Sequence, residues 1–179
     1  QIILKKNKIP FTHSNINSSK VCFDKSRAKK IILKNKILNP RYFILKVQQL
    51  NENNLLKIKK IFKKFVVKPN QSGSSFGIRI INNQIEFNKF ISNIKFFKKN
   101  LSKHKEVIIE EFISGKELTV STIKFSNKIE ALAVTEIKSR NNFFDYQAKY
   151  SKGYSKHLLP ANITKKNYDR CLKIAIKCH

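Results

Sequence analysis

Methionine and tryptophan are both absent from this chain of 179 residues, and cysteine, glycine and proline occur only 3, 4 and 4 times. Methionine is missing even at position 1, and the chain stops at Cys178-His179 inside a helical pattern without a stop signal. Both features read as a piece of a longer protein. Three cysteines, Cys22, Cys171 and Cys178, are too few and too widely spaced for a disulfide scaffold or a CxxC-type metal site, so buried or neutral thiols in a reducing cytoplasm are expected. No apolar run approaches the length of about 18 residues that a membrane-spanning helix needs. The opening Gln1-Ile2-Ile3-Leu4-Lys5-Lys6 is apolar then basic, the reverse of a secretory signal.

Acidic residues are also scarce. There are 11 Asp and Glu against 38 Lys and Arg, a formal charge of +27. Such a balance attracts polyanions. The lysines, however, are spread along the whole chain among many Ile and Asn, as compositional drift in an AT-rich genome produces. No RNP, zinc-finger or helix-turn-helix pattern specifies a nucleic-acid surface, so no specific nucleic-acid partner and no membrane partner are expected. Hydrophobic residues, 41% of the chain with 14 Phe among them, suffice for a packed core.

Periodicity predicts a helix over 15–36, capped by Asn15 or Asn17 with Ser18, and a strand over 41–47 after Pro40. Leu55, Ile58, Ile61, Phe62 and Phe65 lie at helical spacing, giving a helix over 53–64. A short buried strand, Phe65–Pro69, is followed by a loop, Asn70–Gly77, and a strand, Ile78–Ile81. A second amphipathic helix is expected over about 84–99. Strands follow at Val107–Ile113, Glu117–Phe125 and Ile129–Ile137, separated by Ser114-Gly115 and Ser126-Asn127. Residues 138–163 lack periodicity and read as a long loop, a type that is commonly functional. A last helix begins near Thr164. The fold class is α+β.

Three segments can carry chemistry. In Val66-Val67-Lys68-Pro69-Asn70-Gln71-Ser72-Gly73-Ser74-Ser75-Phe76-Gly77, a lysine leaves an apolar strand ahead of a loop of small residues. Backbone N–H groups of such a loop can cradle phosphate oxygens, although a plain hairpin uses the same residues and no Walker A pattern is present. In Val107-Ile108-Ile109-Glu110-Glu111-Phe112-Ile113-Ser114-Gly115-Lys116-Glu117, two carboxylates leave a buried strand. They are either a solvated strand end or the edge of an adenine and ribose site. Phe143-Phe144-Asp145-Tyr146-Gln147-Ala148-Lys149-Tyr150, followed by Leu159-Pro160-Ala161, either anchors the long loop or lids a nucleotide.

Taken in order, VVKPNQSGSSFG, VIIEEFISGKELTV, FFDYQAKY and LLPA resemble the ATP-grasp core of D-alanine–D-alanine ligases. The upstream Ile9-Pro10-Phe11-Thr12-His13-Ser14 and Phe23-Asp24-Lys25-Ser26-Arg27-Ala28-Lys29 fit that family's join between its first two domains. The resemblance implies an ATP-grasp fold of antiparallel sheets with flanking helices, truncated at both ends. Residues 1–22 would end the N-terminal substrate domain, 23–112 would form the central subdomain, and 113–179 would begin the C-terminal subdomain.

The resemblance also implies roles. Lys25 and Lys68 would contact ATP phosphates, and Ser74 and Ser75 would lie in a loop closing over the reacting groups. Glu110 would bind the ribose, Glu111, Phe112 and Ile113 would line the adenine slot largely through backbone, and Glu117 would face the nucleotide. Phe143 and Lys149 would cover ATP, and Tyr150 would meet Ser74. The implied activity is ATP-dependent joining of two D-alanines through an acylphosphate for peptidoglycan synthesis, in the cytoplasm, by a homodimer. The Mg²⁺ ligands and an oxyanion-stabilising arginine are expected beyond residue 179, so the piece alone would be inactive. Two departures stand out: Phe112 replaces a usual Trp, and Asn70-Gln71-Ser72 replaces a more charged stretch. The alternatives are another ATP-grasp carboxylate–amine ligase and a non-catalytic polyanion-binding relative.

Overall fold

The computed structural model describes residues 1–139, 151 and 153–179. It divides into two compact units, Gln1–Phe112 and Ile113–His179.

The first unit opens with helices α1 (Ile2–Lys6), α2 (Ile16–Phe23) and α3 (Lys25–Lys34). The predicted helix over 15–36 is therefore two helices. The break falls at Asp24, whose extended backbone (φ −92°, ψ 100°) lets its carboxylate cap α3 by accepting from the Arg27 N–H. Strand β1 (Tyr42–Lys46), helix α4 (Glu52–Ile61), strands β2 (Phe65–Pro69) and β3 (Arg79–Ile81), helices α5 (Gln84–Ser92) and α6 (Ile94–Asn100), and strand β4 (Glu106–Glu111) follow. The helix expected over 84–99 is also split, at Asn93, where φ −100° and ψ 6° interrupt the regular turn. Asn51 and Asn83 cap α4 and α5 in the same way as Asp24 caps α3.

The strands form an antiparallel sheet in the order β1-β4-β2-β3. Side chains alternate across it. Phe65 and Val67 of β2 and Val107 and Ile109 of β4 point to one face, where they join Leu50, Leu55, Ile58, Phe62, Phe87, Phe90, Phe97 and Leu101 in a single core. Phe65 and Phe87 are almost wholly buried. Each contributes about 1.5–3 kcal/mol by burial. The other face carries Lys68 and Glu110.

The second unit contains β5 (Glu117–Phe125), β6 (Lys128–Ser139), β7 (Ser155–Leu158) and α7 (Lys165–Cys178). Its antiparallel sheet has the order β5-β6-β7, and α7 packs on β5 and β6. Thr164 caps α7, as its position predicts. Strand β7 lies inside the segment expected to be a loop; it pairs with Glu136–Ser139 of β6. Glu136, only 3% exposed, accepts from the Lys116 ammonium at 3.3 Å and the Asn162 N–H at 3.1 Å, which ties the start of β5 to the segment before α7. All three cysteines are free; Cys22 and Cys178 are exposed and Cys171 is half-buried. Among the described residues, no helix is long and apolar enough to cross a membrane.

Candidate nucleotide site

The polar face of the first sheet concentrates charge through strand register. Val66 of β2 lies opposite Glu110, and Lys68 lies opposite Ile108, so Lys68 and Glu110 are diagonal neighbours on one face. The Lys68 ammonium donates to Glu110 Oε2 at 2.6 Å, and Lys29, from α3, meets Glu110 Oε1 at 3.1 Å. Glu110 is 7% exposed. A carboxylate at that depth needs partners, and the two ammonium groups supply them, one to each oxygen.

Lys25 precedes Lys29 by one helical turn, so both project from the same side of α3. Its ammonium donates to the carbonyls of Asn70 at 3.3 Å and Ser72 at 2.8 Å. Its backbone N–H donates to Asn70 O at 3.2 Å. The loop after β2 is thereby anchored to the start of α3. Asn70 reinforces the anchor: its Oδ1 accepts from the Ser26 N–H at 2.8 Å, and its Nδ2 donates to Asp24 Oδ1 at 3.1 Å and Glu106 Oε2 at 3.2 Å. Gln71 Nε2 donates to Asp24 Oδ2 at 2.8 Å. The uncharged Asn70-Gln71 pair thus has a positive use here, as ligands of Asp24.

Charge states follow from these contacts. Burial opposes ionisation of Asp24 and is the largest single influence on it. Hydrogen bonds from Gln71, the Arg27 N–H, Ser26 and Asn70 together outweigh it and bring the carboxyl to about 2. Lys25 is lowered by burial and then by the Lys68 charge, against the pull of Glu110 and Asp24. Burial also lowers Lys29, against the attraction of Glu110. The site therefore holds cations at an electrostatic cost that an anion would relieve. Among the described residues no group of three or more His, Cys, Asp and Glu could hold a metal ion.

The loop reaches β3 through tight turns. The Phe76 N–H donates to Gly73 O at 3.0 Å, and Ser74, Ser75 and Gly77 have φ of 51°, 60° and 67°. A Cβ on Gly77 would lie 2.9 Å from Pro69 Cγ and 3.2 Å from Leu101 Cδ2, so both conformation and space demand glycine.

Lys25, Lys68 and Glu110, expected to share a site, do come together. Glu111 points to the opposite side of the sheet, where both its oxygens accept from Arg41 at 2.8 Å; that bond lowers its pKa. The N–H groups of Glu111 and Phe112 donate to Arg41 O and Lys64 O, each at 3.0 Å. Ile113 and Glu117 belong to the second unit, where Ile113 is exposed and Glu117 opens β5 opposite Ile137. Phe143, Lys149 and Tyr150 lie outside the described residues. Lys29, Asp24 and Asn70 carried no assigned role in the sequence. The four-residue spacing of Lys25 and Lys29 is the one local signal that could have linked Lys29 to the site.

The D-ala D-ala ligase C-terminus family model matches residues 34–179. The chain belongs to the D-alanine–D-alanine ligase family. It is 37% identical to the D-alanine–D-alanine ligase of Pelagibacter ubique, over all of this chain and 56% of that protein. It is 34% identical to the ligase of Caulobacter vibrioides, over all of this chain and 52% of that one. The chain thus spans about half the length of these relatives. Among solved structures, the ligase of Bacillus anthracis superposes with a TM-score of 0.72 at 30% identity, covering 99% of this chain and 54% of that one. The VanG D-Ala:D-Ser ligase of Enterococcus faecalis gives 0.74 at 28%, covering 98% and 49%. The ATP-grasp fold of this family is therefore the fold of this chain.

Proposed function

We propose that the full-length protein joins two D-alanines to D-alanyl-D-alanine at the expense of ATP, for peptidoglycan synthesis in the cytoplasm, as a homodimer. The observation that carries the reading is the cluster of Lys25, Lys29 and Lys68 around buried Glu110, in a chain of this family. A Bacillus anthracis relative has been solved in complex with ATP. ATP supplies the phosphoryl group that converts the carboxylate of the first D-alanine to an acylphosphate, with ADP leaving; the amine of the second attacks its carbonyl carbon, and phosphate and a proton leave as the amide forms.

Phosphoryl transfer demands positioning and neutralised charge more than covalent chemistry from the protein. Lys25 and Lys68 are proposed to bind the phosphates. Lys25 has one ammonium N–H left for this beside the two loop carbonyls it holds, so a phosphate bound there would lie next to the loop that carries Ser74 and Ser75. That loop, with Tyr150, is proposed to exclude water from the acylphosphate. Glu110 remains a candidate for the ribose only by sharing an oxygen already used by a lysine; each carboxylate oxygen has a second lone pair for this. Glu111, Phe112 and Ile113 are proposed to line the adenine slot, and Glu117, Phe143 and Lys149 to contact the nucleotide. Mg²⁺ would be held by residues outside this chain. Residues 1–22 are proposed as the end of the substrate domain, 23–112 as the central subdomain and 113–179 as the start of the C-terminal one.

Likeness to a D-Ala:D-Ser ligase supports a second reading, a different second amino acid. Calorimetry tests the nucleotide site. Lys68→Ala should weaken ATP binding by about 1.5–3 kcal/mol, the worth of a hydrogen bond to a charged group. Glu110→Ala should also weaken it. Unchanged affinity in both variants overturns the site.

A further inference from the structure

We infer that Lys29 is a positioning residue for nucleotide binding, acting on the phosphates through Glu110 and Lys68. The inference rests on the ATP-site reading above and adds to it a residue and a route.

Lys29 cannot act by touching a ligand with its ammonium as it stands. An ammonium has three N–H donors. Those of Lys29 meet Glu110 Oε1 at 3.1 Å, Asn39 Oδ1 at 3.1 Å and the Pro40 carbonyl at 3.3 Å. The Tyr42 ring lies 5.0 Å away, and the side chain is 9% exposed. Lys68 differs: its side chain is 21% exposed, and Glu110 Oε2 is its acceptor among the described residues. Lys68 therefore has donors left for an anion, and Lys29 has none.

Two consequences follow for Lys68. Lys29 is fixed by α3 on one side and by its bonds to Asn39 and Pro40 on the other, so it sets the rotation of the Glu110 carboxylate. The second oxygen is then aimed at Lys68, which is held in one place. Lys29 also shares the carboxylate's charge. Without it, Glu110 would neutralise Lys68 alone and blunt its attraction for phosphate. A bare structural pair explains less: burial of charges is costly and one lysine suffices to balance Glu110. The lowered pKa of both Lys25 and Lys29 shows that extra cations are held here at a cost.

ATP binding to the full-length protein, measured by calorimetry, tests the route. Lys29→Met should weaken ATP roughly tenfold, as loss of a supporting residue behind a charged ligand contact commonly does. Lys29→Arg, which keeps the charge, should recover most of the loss. The deciding comparison is made in Glu110→Gln protein. There the further change Lys29→Met should alter affinity less than about twofold, because the route through Glu110 is already cut. A full tenfold loss in that background would show Lys29 acting on ATP independently, and would overturn the inference. A Lys29→Met protein that binds ATP normally would do the same. Leu55→Ala, a core change, controls for simple destabilisation: it should lower Tm and leave ATP affinity unaltered. Should Lys29→Met fail to fold, Asn39→Ala loosens Lys29 without removing its charge and should still cost several-fold; unchanged affinity there refutes the inference. Lys68→Ala separates the two levels. If Lys68→Ala leaves ATP binding intact, the site reading itself fails; if only Lys29 is without effect, the positioning role alone fails.

Discussion

Replacing Asp24 should loosen the junction that carries Lys25. Its carboxylate caps α3 through the Arg27 N–H at 3.1 Å, accepts from Ser26 Oγ at 2.8 Å, and binds the side-chain amides of Asn70 and Gln71 at 3.1 and 2.8 Å. Loss of the cap alone costs about 1 kcal/mol. Loss of hydrogen bonds to a charged acceptor, with Asn70 left buried, adds about 2 kcal/mol more. Asp24→Ala should therefore destabilise the protein by about 3 kcal/mol. Asp24→Asn keeps the cap but opposes its amide to that of Gln71, and should cost about 1 kcal/mol.

The loss has a pH signature. The folded carboxyl sits at about 2 against an ordinary 3.8. A depressed acid stabilises the folded state above its unfolded pKa and loses that contribution as pH falls through the folded pKa. The stability gap between the parent and Asp24→Asn should be constant at neutral pH and close as pH falls from about 4 toward 2, by about 1 kcal/mol after discounting for solvent screening. Urea denaturation across that range, followed by circular dichroism, measures it. A gap that does not change with pH, or an Asp24→Ala loss below about 0.5 kcal/mol, would refute the reasoning.

Gly77→Ala should destabilise by about 3 kcal/mol in the same assay, combining left-handed strain with a clash against Pro69 and Leu101; a loss under 1 kcal/mol, roughly, would show that the turn yields. ATP binding at alkaline pH should take up protons, since phosphate charge restores the protonated form of Lys25; calorimetry in two buffers of different ionisation enthalpy reads this, and no buffer dependence contradicts it. Without nucleotide, the same lowered pKa means that stability is gained as pH rises from the folded Lys25 pKa to the unfolded one. Tyr150→Phe and Ser74→Ala should each lower kcat while sparing ATP affinity, and the double variant should be hardly worse than either; additive losses would separate the two residues.

Much of the fold was legible because local pattern and burial agree. The short apolar run ended by Pro69 marks β2, and the spacing of Leu55, Ile58 and Phe62 marks the packed side of α4 and its end. The breaks at Asp24 and Asn93 were not legible, because apolar spacing runs on through both while a cap or one irregular residue ends the helix. Strand β7 is short and polar and is defined by its partner β6, which no local pattern displays. At the site, Lys25, Lys68 and Glu110 were found through motif resemblance. Lys29 was not: its meaning comes from a partner 81 positions away, across a helix-to-strand contact. The use of Asn70 and Gln71 as ligands of Asp24 is likewise a tertiary fact, invisible in residue type.

The central claim is that a protein with this core consumes ATP to join two D-alanines. Full-length protein should be incubated with ATP, Mg²⁺ and D-alanine, alone and together with D-serine or D-lactate, with ADP and products followed by mass spectrometry. One ADP per D-alanyl-D-alanine, abolished in large part by Lys68→Ala, is the predicted result. A mixed product favoured over D-alanyl-D-alanine would move the protein to the second reading, and no ADP release with any of these substrates would contradict the claim.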